Sequence, residues 1–563
     1  MAELVLGPLL RHVGDTWVTV WVETDAPCEV DVLGRTSRTF TVHGHHYALV
    51  VVDGLRPGTV SPYQVRLDGN VTWPVPDSDY PPSILRTLDP ATPRHLIFGS
   101  CRHSTAEQMG RSLGYHPDAL DTYARRMIRT DPTEWPDAVL LLGDQVYADN
   151  TSSRTQEFIK SRRPVDEPPY LEVADFAEYA ALYQESWTDP DIRWLFANLP
   201  SAMIFDDHDI RDDWNTSYAW RQEMEQEPWW RRRILGGLAS YWVYQHLGNL
   251  SPGELAADLL YQQVRRSDDG GVVLERLAAR SDHKVDGGHG TGVRWNFRLD
   301  YGRVRLLFVD TRCGRVLTPD ERSMMSDAEF DWLTEQVHGD YDHLLVASSL
   351  PWLLPWAIHD LESGNEALCA GSRGPRIAWL SEKMRRGADL EHWSAFAKSF
   401  ERLGQLLASV ARGERGGQPA SVCVLSGDVH HAYVARASFT PPTVAPIYQI
   451  VVSPVHHGIP LVMKLAFTVG WSRLARRMAR PFARWARAPH ASPRWTRLSG
   501  PYYGNELGTL VLDGRIARFH LERAEPRPEG TAQLISVTQV PLTWRDEPAR
   551  EPQPELPARA ELG

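Results

Sequence analysis

The stretch Leu140–Asp149, LLLGDQVYAD, decides the fold of this chain. The apolar run at 138–142 predicts a buried strand, and Gly143 lets the backbone turn sharply where that strand ends. Asp144 and Tyr147 follow at once. Because ligands and metals bind at the carboxyl ends of strands in an open α/β sheet, these two side chains are candidates for a site. Taken alone, Asp144 could equally well cap the next turn.

Other short apolar runs end in polar residues in the same way, and they alternate with helical patterns. That alternation predicts an α/β fold in which a layered sheet core, mostly parallel or mixed, is flanked by helices. The runs with their polar ends are HLIFGSC at 95–101, SAMIF–DDHD at 201–209, RVRLLFV–DTR at 303–312, HLLVA–SSLP at 343–351 and SVCVL–SGDVHH at 421–431.

Composition restricts the class of protein. The chain has 563 residues, 42% of them apolar and 23% charged, and a net charge of −12. The length predicts about two to four structural units. The negative charge argues against specific nucleic-acid binding by bulk electrostatics. Five widely spaced cysteines without a CxxC motif argue against a disulfide scaffold and for a reducing compartment, or for a cysteine used chemically.

The predicted location is the cytoplasm. The N-terminal sequence MAELVLGPLLRHVGDTW lacks the pattern of a signal peptide. The chain also has no window of about 18 uncharged apolar residues, which a membrane-spanning helix needs.

We divide the chain into several predicted regions. Residues 1–90 carry alternating β-type runs and a Leu-Arg-Pro-Gly-Thr turn followed by Tyr63, which resembles an immunoglobulin or fibronectin type III sandwich. Residues 95–535 are the predicted catalytic domain. Within it, the Trp/Arg-rich helical insertion at 215–295 is expected to cap the site. The Pro/Glu/Arg/Ala-rich tail at 546–563 is expected to be disordered.

The strand ends together predict a metal centre. Burying so many polar groups without a cation would leave unpaired charges, each costing several kcal/mol. Two cations about 3.5–4 Å apart can bind a phosphate, activate a water between them and stabilise an in-line displacement. Thiolate, phenolate and imidazole suit iron, whereas a site of carboxylates alone suits calcium, magnesium or manganese. The candidate residues are Cys101, Asp144, Tyr147, Asp207, His208, Asp428 and His430.

Four ordered motifs resemble the alkaline phosphatase D family, a branch of the metallophosphatases. They are GSC at 99–101, GDxxY at 143–147, DDHD at 206–209 and GDxH at 427–430, and the resemblance extends from about residue 95 to about 535. An N-terminal β-sandwich also fits the architecture of that family. The resemblance implies a phosphoester hydrolase, acting on monoesters or diesters, in which a metal-bound hydroxide attacks phosphorus.

The resemblance also implies roles for individual residues. Asp144 corresponds to the ligand that bridges two metals, and Tyr147 corresponds to a phenolate on iron. Cys101 and His430 complete that first position, which implies Fe(III). His208 corresponds to the histidine that contacts phosphate or the leaving oxygen.

The second metal position follows from the same resemblance. Asp207 and Asp428 would join Asp144 there, and Ser349 stands where many relatives have a histidine ligand. An all-oxygen site implies Ca(II), with Mn(II), Mg(II) or Zn(II) as alternatives. The rival hypothesis is a degenerate metallophosphatase that binds a membrane or a partner.

Neighbouring polar residues have simpler interpretations. Asp206 is expected to orient the following turn, and His431 is expected to pack or lie in solvent. Asp310 and Arg312 are expected to form a hydrogen-bonding pair at the end of their strand.

The segment 464–498 is basic. No acidic residue occurs in it, and Leu474, Met478, Phe482 and Trp485 recur at spacings of four, four and three. These residues would share one face of a helix interrupted by Pro481. A basic amphipathic helix predicts peripheral contact with an anionic membrane. The alternative is an arginine-rich face packed on the acidic remainder of the chain.

Overall fold

The computed structural model of this chain describes residues 1–104, 116–282, 293–318, 321–528 and 530–543. The predicted tail at 546–563 and most of the Gly-rich end of the insertion lie outside the described residues. Within the described helices, none has both the length and the apolar character to cross a bilayer.

Strands occur along the whole described chain. In order, they are β1 (Leu4–Val13), β2 (Trp17–Thr24), β3 (Glu29–Val32), β4 (Arg35–Arg38), β5 (Phe40–Val42), β6 (His45–Asp53), β7 (Val60–Pro62), β8 (Val65–Leu67), β9 (Asn70–Trp73), β10 (Ile84–Arg86), β11 (Arg94–Gly99), β12 (Ala138–Leu142), β13 (Ser201–Ile204), β14 (Phe297–Tyr301), β15 (Val304–Val309), β16 (His343–Ser348), β17 (Ser421–Ser426), β18 (Ala432–Ser438), β19 (Ile447–Val451), β20 (Arg494–Tyr502), β21 (Glu506–Asp513), β22 (Ile516–Pro526) and β23 (Ala532–Pro541).

The helices all follow β11. Most begin at a residue whose side chain accepts a hydrogen bond from the first turn, such as Asp118 or Ser326. The α-helices are Ala119–Met127, Ser153–Arg162, Phe176–Trp187, Pro190–Asn198, Tyr218–Gln226, Trp230–Tyr241, Pro252–Ala257, Leu259–Arg266, Gly271–Asp282, Asp327–Gln336, Trp356–Cys369, Pro375–Gly387, Ala397–Ala411, Leu461–Gly470 and Arg473–Ala486.

Residues 1–90, predicted to be all-β, contain the strands β1 to β10 and no described helix. These strands make two four-stranded sheets, β1-β2-β6-β5 and β4-β3-β8-β9, and the small pair β10-β7. The hydroxyl of Tyr63, the residue that follows the Leu-Arg-Pro-Gly-Thr turn, donates to the carbonyl of Ala197, 2.6 Å away, at the end of helix Pro190–Asn198. Tyr63 therefore ties the β-region to the α/β part of the chain.

The α/β part contains two large mixed sheets. One has the order β13-β12-β11-β21-β22-β23, and the other β14-β15-β16-β17-β19-β18-β20. β11, β12 and β13 are parallel to one another, and so are β15, β16, β17 and β19. Side chains of both sheets, such as Phe98 and Phe308, belong to one buried apolar cluster. The apolar runs of the sequence are confirmed as these buried strands.

The helical insertion packs against the N-terminal sheets. Arg11, which is buried, donates to the carbonyl oxygens of Tyr244 and Gln245 at 2.9 and 2.6 Å. Tyr47 and Tyr244 join their hydroxyls at 3.0 Å. The insertion thus joins the β-region to the α/β part, and its role as a cap over the site stays a prediction.

Helix Arg473–Ala486 differs from the prediction in two ways. It continues through Pro481 without a break. Phe482 turns away from the exposed face and packs against Gly364, where an added Cβ would lie 2.6 Å from the Phe482 ring. Pro481 takes the exposed position between Met478 and Trp485.

Candidate metal centre

The ends of the parallel strands of both sheets meet at one place. Cys101 follows β11, Asp144 follows β12, Asp207 follows β13, and Asp428 follows β17. The N–H of Asp428 donates to Oγ of Ser100 at 3.1 Å, which joins the two sheets at this end. The topology therefore gathers the predicted residues because parallel strands present their carboxyl ends at the same edge.

The backbone at this edge is strained. Cys101, Asp144, Asp428 and His430 all have left-handed conformations, with φ of 56°, 52°, 67° and 47°. Non-glycine residues adopt this region rarely, and such strain is concentrated at functional sites. Each strand ends in a sharp turn that directs a polar side chain into the shared space.

Close packing at Gly143 adds to this arrangement. Its φ is 105°, and a Cβ there would lie 2.6 Å from Cβ of Asp206. A glycine is required because any side chain would collide with the neighbouring strand end.

Cys101 and Asp144 are direct neighbours. The Sγ atom of Cys101 lies 3.2 Å from Oδ2 of Asp144, and Ser453 donates to the same sulfur at 3.2 Å. Burial raises the pKa of Cys101 to about 12 and raises the pKa of Asp144 well above its usual value. Both shifts favour the protonated forms, whereas metal ligands bind in their deprotonated form, so metal binding here would release protons.

Asp144, Asp206 and Asp207 form an acidic cluster with ligand atoms within 4.8 Å of one another. Burial raises the pKa of each of these carboxyl groups. Asp206 takes part in the capping arrangement of the turn at 207–209, as expected, and it also belongs to this cluster. The sequence analysis did not place Asp206 in this cluster. Its position at a strand end, next to Asp207, could have indicated it.

Several buried atoms at the site have no hydrogen-bond partner among the described residues. They are Oδ1 of Asp144, the hydroxyl of Tyr147 and Oδ2 of Asp206. A buried polar atom left unpaired costs about 1–3 kcal/mol. Oxygen atoms of this kind, next to a thiol, fit the ligands of a hard cation. The donor set therefore fits the metals that the sequence predicts.

Arg312 was not predicted as part of the site. Its guanidinium is fully buried and forms ion pairs with Asp206 and Glu391, with Asp207 at 3.2 Å and with Asp428 at 3.6 Å. The expected pairing at the strand end is confirmed, since Oδ1 of Asp310 accepts from the N–H of Arg312 at 2.9 Å. The guanidinium supplies positive charge to the acidic cluster.

Asp428 is held by a second group that the sequence did not indicate. Nε2 of His392 lies 3.0 Å from Oδ2 of Asp428, and Nδ1 of His392 lies 2.7 Å from Glu362. Burial alone would raise the pKa of Asp428, but His392 and Arg312 outweigh it and lower the pKa to about 2. Asp428 is therefore a carboxylate at neutral pH.

His208 lies at the partly exposed side of the cluster. Its Nδ1 is 3.0 Å from both carboxylate oxygens of Asp149, and Nε2 is 3.9 Å from Asp212. Burial lowers the pKa of His208, but Asp149 and Asp207 outweigh this and raise it well above its usual value. Asp149 belongs to the LLLGDQVYAD stretch but was given no role from the sequence.

Aromatic rings surround Tyr147. The rings of His103, His208 and His457 lie 4.9, 4.6 and 5.3 Å from it, and His457 lies 4.5 Å from His430. His457 was missed, although it follows β19 in SPVHHG, another apolar run with a polar end. This arrangement brings His430 to the same side of the site as Tyr147.

The remaining predictions concern Ser349 and His431. Oγ of Ser349 lies 2.8 Å from Oγ1 of Thr311, and its carbonyl accepts from Gly427 at 2.9 Å. His431 is buried and stacks on Phe467 with ring centroids 4.3 Å apart, so the packing interpretation is confirmed.

The chain resembles known proteins both in sequence and in fold. The family model described as PhoD-like phosphatase matches residues 114–488, and a domain of unknown function, DUF7800, matches residues 1–85. No curated protein matches the chain.

A solved structure titled "Structure of PhoD" is 12% identical, covers 95% of this chain and 90% of that chain, and has a TM-score of 0.57. At this identity the likeness shows a shared fold. A maltogenic amylase from S. marinus, 9% identical over 92% of this chain and 76% of that chain, has a TM-score of only 0.13. The family model spans more than half of the chain, and the resemblance carried by the four motifs is confirmed. The chain belongs to the PhoD-like phosphatase family.

Proposed function

We propose that this chain is a metal-dependent hydrolase of phosphoesters, either monoesters or diesters, that uses two metal ions. The observation that carries the proposal is the buried cluster of Asp144, Asp206 and Asp207, within 4.8 Å, beside the thiol of Cys101. Membership of the PhoD-like phosphatase family supports the same reaction.

The first metal position would be formed by Cys101, Asp144, Tyr147 and His430. Thiolate, phenolate and imidazole together favour Fe(III) there. The unpaired hydroxyl of Tyr147 supports its place in this set, because it is buried and has no other described partner.

The second position would be formed by Asp144, Asp207 and Asp428, to which the structure adds Asp206 as a candidate. Carboxylate oxygens favour Ca(II), with Mn(II), Mg(II) and Zn(II) as alternatives. The guanidinium of Arg312 offsets part of the negative charge of the same carboxylates, so the site can hold four acidic groups with fewer cations.

The metals would bind the phosphate, activate a water molecule and stabilise charge in the transition state. The residues of the chain would do the remaining work. His208, protonated and oriented by Asp149, would donate a proton from Nε2 to the leaving oxygen. Arg312 would keep Asp206 and Asp207 in place, because its buried guanidinium pairs with both.

The test is metal analysis of the purified protein combined with a screen of phosphomonoesters and phosphodiesters. Hydrolysis should require metal, stop after chelation and return when metal is restored. If a metal-replete, folded protein hydrolyses no phosphoester in the panel, the rival hypothesis of a degenerate binding protein replaces this one. Cytoplasmic location stays a prediction. Contact of the basic segment with a membrane is a separate proposal, because it does not depend on the metal chemistry.

A further inference from the structure

Two helices of the basic segment expose an apolar surface. They are Leu461–Gly470 and Arg473–Ala486, which we call the basic helical pair. Trp485, at 46% exposure, continues this surface. Its other large apolar side chains, between 50% and 78% exposed, are Leu461, Val462, Leu465, Val469, Leu474 and Met478.

This surface is not the face that the helices use for packing. Helix Arg473–Ala486 buries Ala479, Ala483 and Ala486. These small residues let it approach helix Trp356–Cys369, where Phe482 packs against Gly364. The larger apolar residues therefore lie in solvent after the fold has formed its own contacts. Contiguous exposed apolar patches of this kind mark interaction sites.

An arginine-lined cavity of about 750 Å³ adjoins this surface, between helix Trp356–Cys369 and helix Arg473–Ala486. Asp360 is its one acidic lining residue among the described residues. The cavity is large enough to hold phosphate groups, and the arginine side chains that line it would supply the opposite charge. Its arginines are Arg473, Arg476, Arg477, Arg480, Arg484 and Arg494.

Asp360 is the acidic residue that faces these arginines, and it interacts electrostatically with Arg476, Arg480 and Arg484 without a close ion pair. Across the described ranges of the chain, no carboxylate lies within 4.0 Å of any of them to form an ion pair. The sequence has no acidic residue between 455 and 504. The alternative, an arginine-rich face packed on the acidic remainder of the chain, stays a prediction, since helix Arg473–Ala486 packs on helix Trp356–Cys369, which contributes Asp360 to the cavity.

We propose that the basic helical pair docks on an anionic phospholipid bilayer. Leu474, Met478 and Trp485 would enter the interface between headgroups and acyl chains, and the arginines of the cavity would pair with lipid phosphates. Apolar insertion and electrostatic attraction together are the two contributions that hold amphipathic helices at membranes. The proposal extends the predicted segment 464–498 to Leu461 and adds a cavity that the sequence did not show.

A second copy of the chain fits this surface less well. An isologous contact would place the same arginines against one another, with Asp360 as the one acidic residue among the described residues that line the cavity. Like charges brought together at an interface are destabilising. An anionic bilayer instead supplies the missing negative charge and an apolar layer at once.

The surface lies beside the metal centre. Phe467, on the first helix of the pair, stacks on His431 at 4.3 Å, and His431 directly follows the predicted ligand His430. Pro460, at the start of the same helix, comes three residues after His457. Docking would therefore hold the metal centre close to the membrane surface.

The test is co-sedimentation of the full chain with vesicles of equimolar phosphatidylserine and phosphatidylcholine, compared with vesicles of phosphatidylcholine alone. The wild-type chain should bind the anionic vesicles and detach as salt rises, because surface attraction is screened over about 8–10 Å at 0.1–0.15 M. Leu474→Ser with Met478→Ser should lower the partition coefficient about tenfold or more. Arg477→Gln with Arg484→Gln should lower it by a similar factor.

Matched controls lie on the helical insertion. Leu259 and Val272 are 78% and 57% exposed, so Leu259→Ser with Val272→Ser removes similar apolar surface elsewhere. Arg276→Gln with Arg280→Gln removes the same charge. Both controls should bind like the wild-type chain, and thermal unfolding should show that all variants fold.

Four results would overturn the proposal. The first three are no binding to anionic vesicles at low salt, equal loss of binding in the controls, and a dimer in sedimentation velocity that the Leu474→Ser and Met478→Ser changes dissociate while vesicle binding is absent. If inorganic phosphate and chloride release the wild-type chain from anionic vesicles equally well at equal ionic strength, the attraction is general electrostatic attraction to the bilayer surface, which supports the proposal. Selective release by micromolar phosphate would overturn docking on a bilayer in favour of a soluble-anion site.

Discussion

His208 and Asp149 form a close ion pair, with Nδ1 of the imidazole 3.0 Å from both carboxylate oxygens. Asp149 also accepts from the N–H of Asp212 at 2.5 Å, which fixes the carboxylate. The pair engages Nδ1, and Nε2 lies 3.9 Å from Oδ1 of Asp212. A histidine oriented in this way can supply a proton to a leaving oxygen.

Replacing Asp149 by Asn should move the alkaline limb of the kcat–pH profile to lower pH. The carboxylate raises the pKa of His208, so its removal lowers that pKa and the proton is lost earlier as pH rises. Because the role proposed for His208 requires its protonated form, kcat at neutral and alkaline pH should fall, roughly tenfold to a hundredfold. Steady-state kinetics across the pH range measure this.

The controls for that pH profile are Asp212→Asn and His208→Ala. Asp212 lies 3.9 Å from Nε2 of His208, so its replacement should shift the limb less than Asp149→Asn does. His208→Ala should slow hydrolysis roughly 10²–10⁴-fold and remove the limb. An Asp149→Asn variant with an unshifted limb would exclude His208 as the proton donor.

Asp144→Asn should abolish hydrolysis. In the proposed site Asp144 would hold both cations; its Oδ1 atom has no described partner, and its Oδ2 atom lies 3.2 Å from the sulfur of Cys101. An amide is a neutral and poorer ligand, so metal content should fall with activity. Elemental analysis and turnover are measured on the same sample, and normal turnover with normal metal content would remove Asp144 from the site.

The strand ends of the site could be predicted because buried parallel strands are short unbroken apolar runs. Leu140, Leu141 and Leu142 are buried on both faces of the sheet, and the chain leaves it at Gly143. The order of the strands then brings Cys101 beside Asp144. The sequence pattern could suggest this, because neighbouring parallel strands present their carboxyl ends at the same edge of the sheet.

Other parts of the site depend on long-range packing and left no local pattern. His392 precedes a short turn far from any strand end, and only the fold places it 3.0 Å from Asp428. Phe482 of helix Arg473–Ala486 was placed on the wrong face for a similar reason. Its periodicity groups Phe482 with Met478, but the approach to Gly364 selects the alanine side for burial.

Arg312→Gln should destabilise the metal-free protein by about 3–5 kcal/mol. The change removes the buried cation that pairs with Asp206, Asp207, Glu391 and Asp428, and it leaves their charges uncompensated. Divalent metal should restore part of the loss, because added cations would compensate the same carboxylates. Denaturant unfolding with and without metal measures the free energy of unfolding.

Arg35→Gln is the matched surface control for that experiment. Arg35 pairs with Asp53 at 2.9 Å, but both side chains are more than half exposed. An exposed ion pair contributes at most about 1 kcal/mol. If Arg312→Gln were no more destabilising than Arg35→Gln, the charge-compensating role of Arg312 would be wrong.

Tyr147→Phe should remove or blue-shift a visible absorption band of the as-purified protein. A phenolate on ferric iron has a ligand-to-metal charge-transfer band, which calcium, magnesium and zinc cannot produce. The hydroxyl of Tyr147 is buried, has no described hydrogen-bond partner, and lies on the same side of the site as His430 and His457. Cys101→Ser should alter the band without abolishing it, and His208→Ala should leave the colour while slowing hydrolysis. A colourless wild-type protein, fully active with only calcium or magnesium bound, would assign Tyr147 a packing role and leave the hydrolase proposal intact.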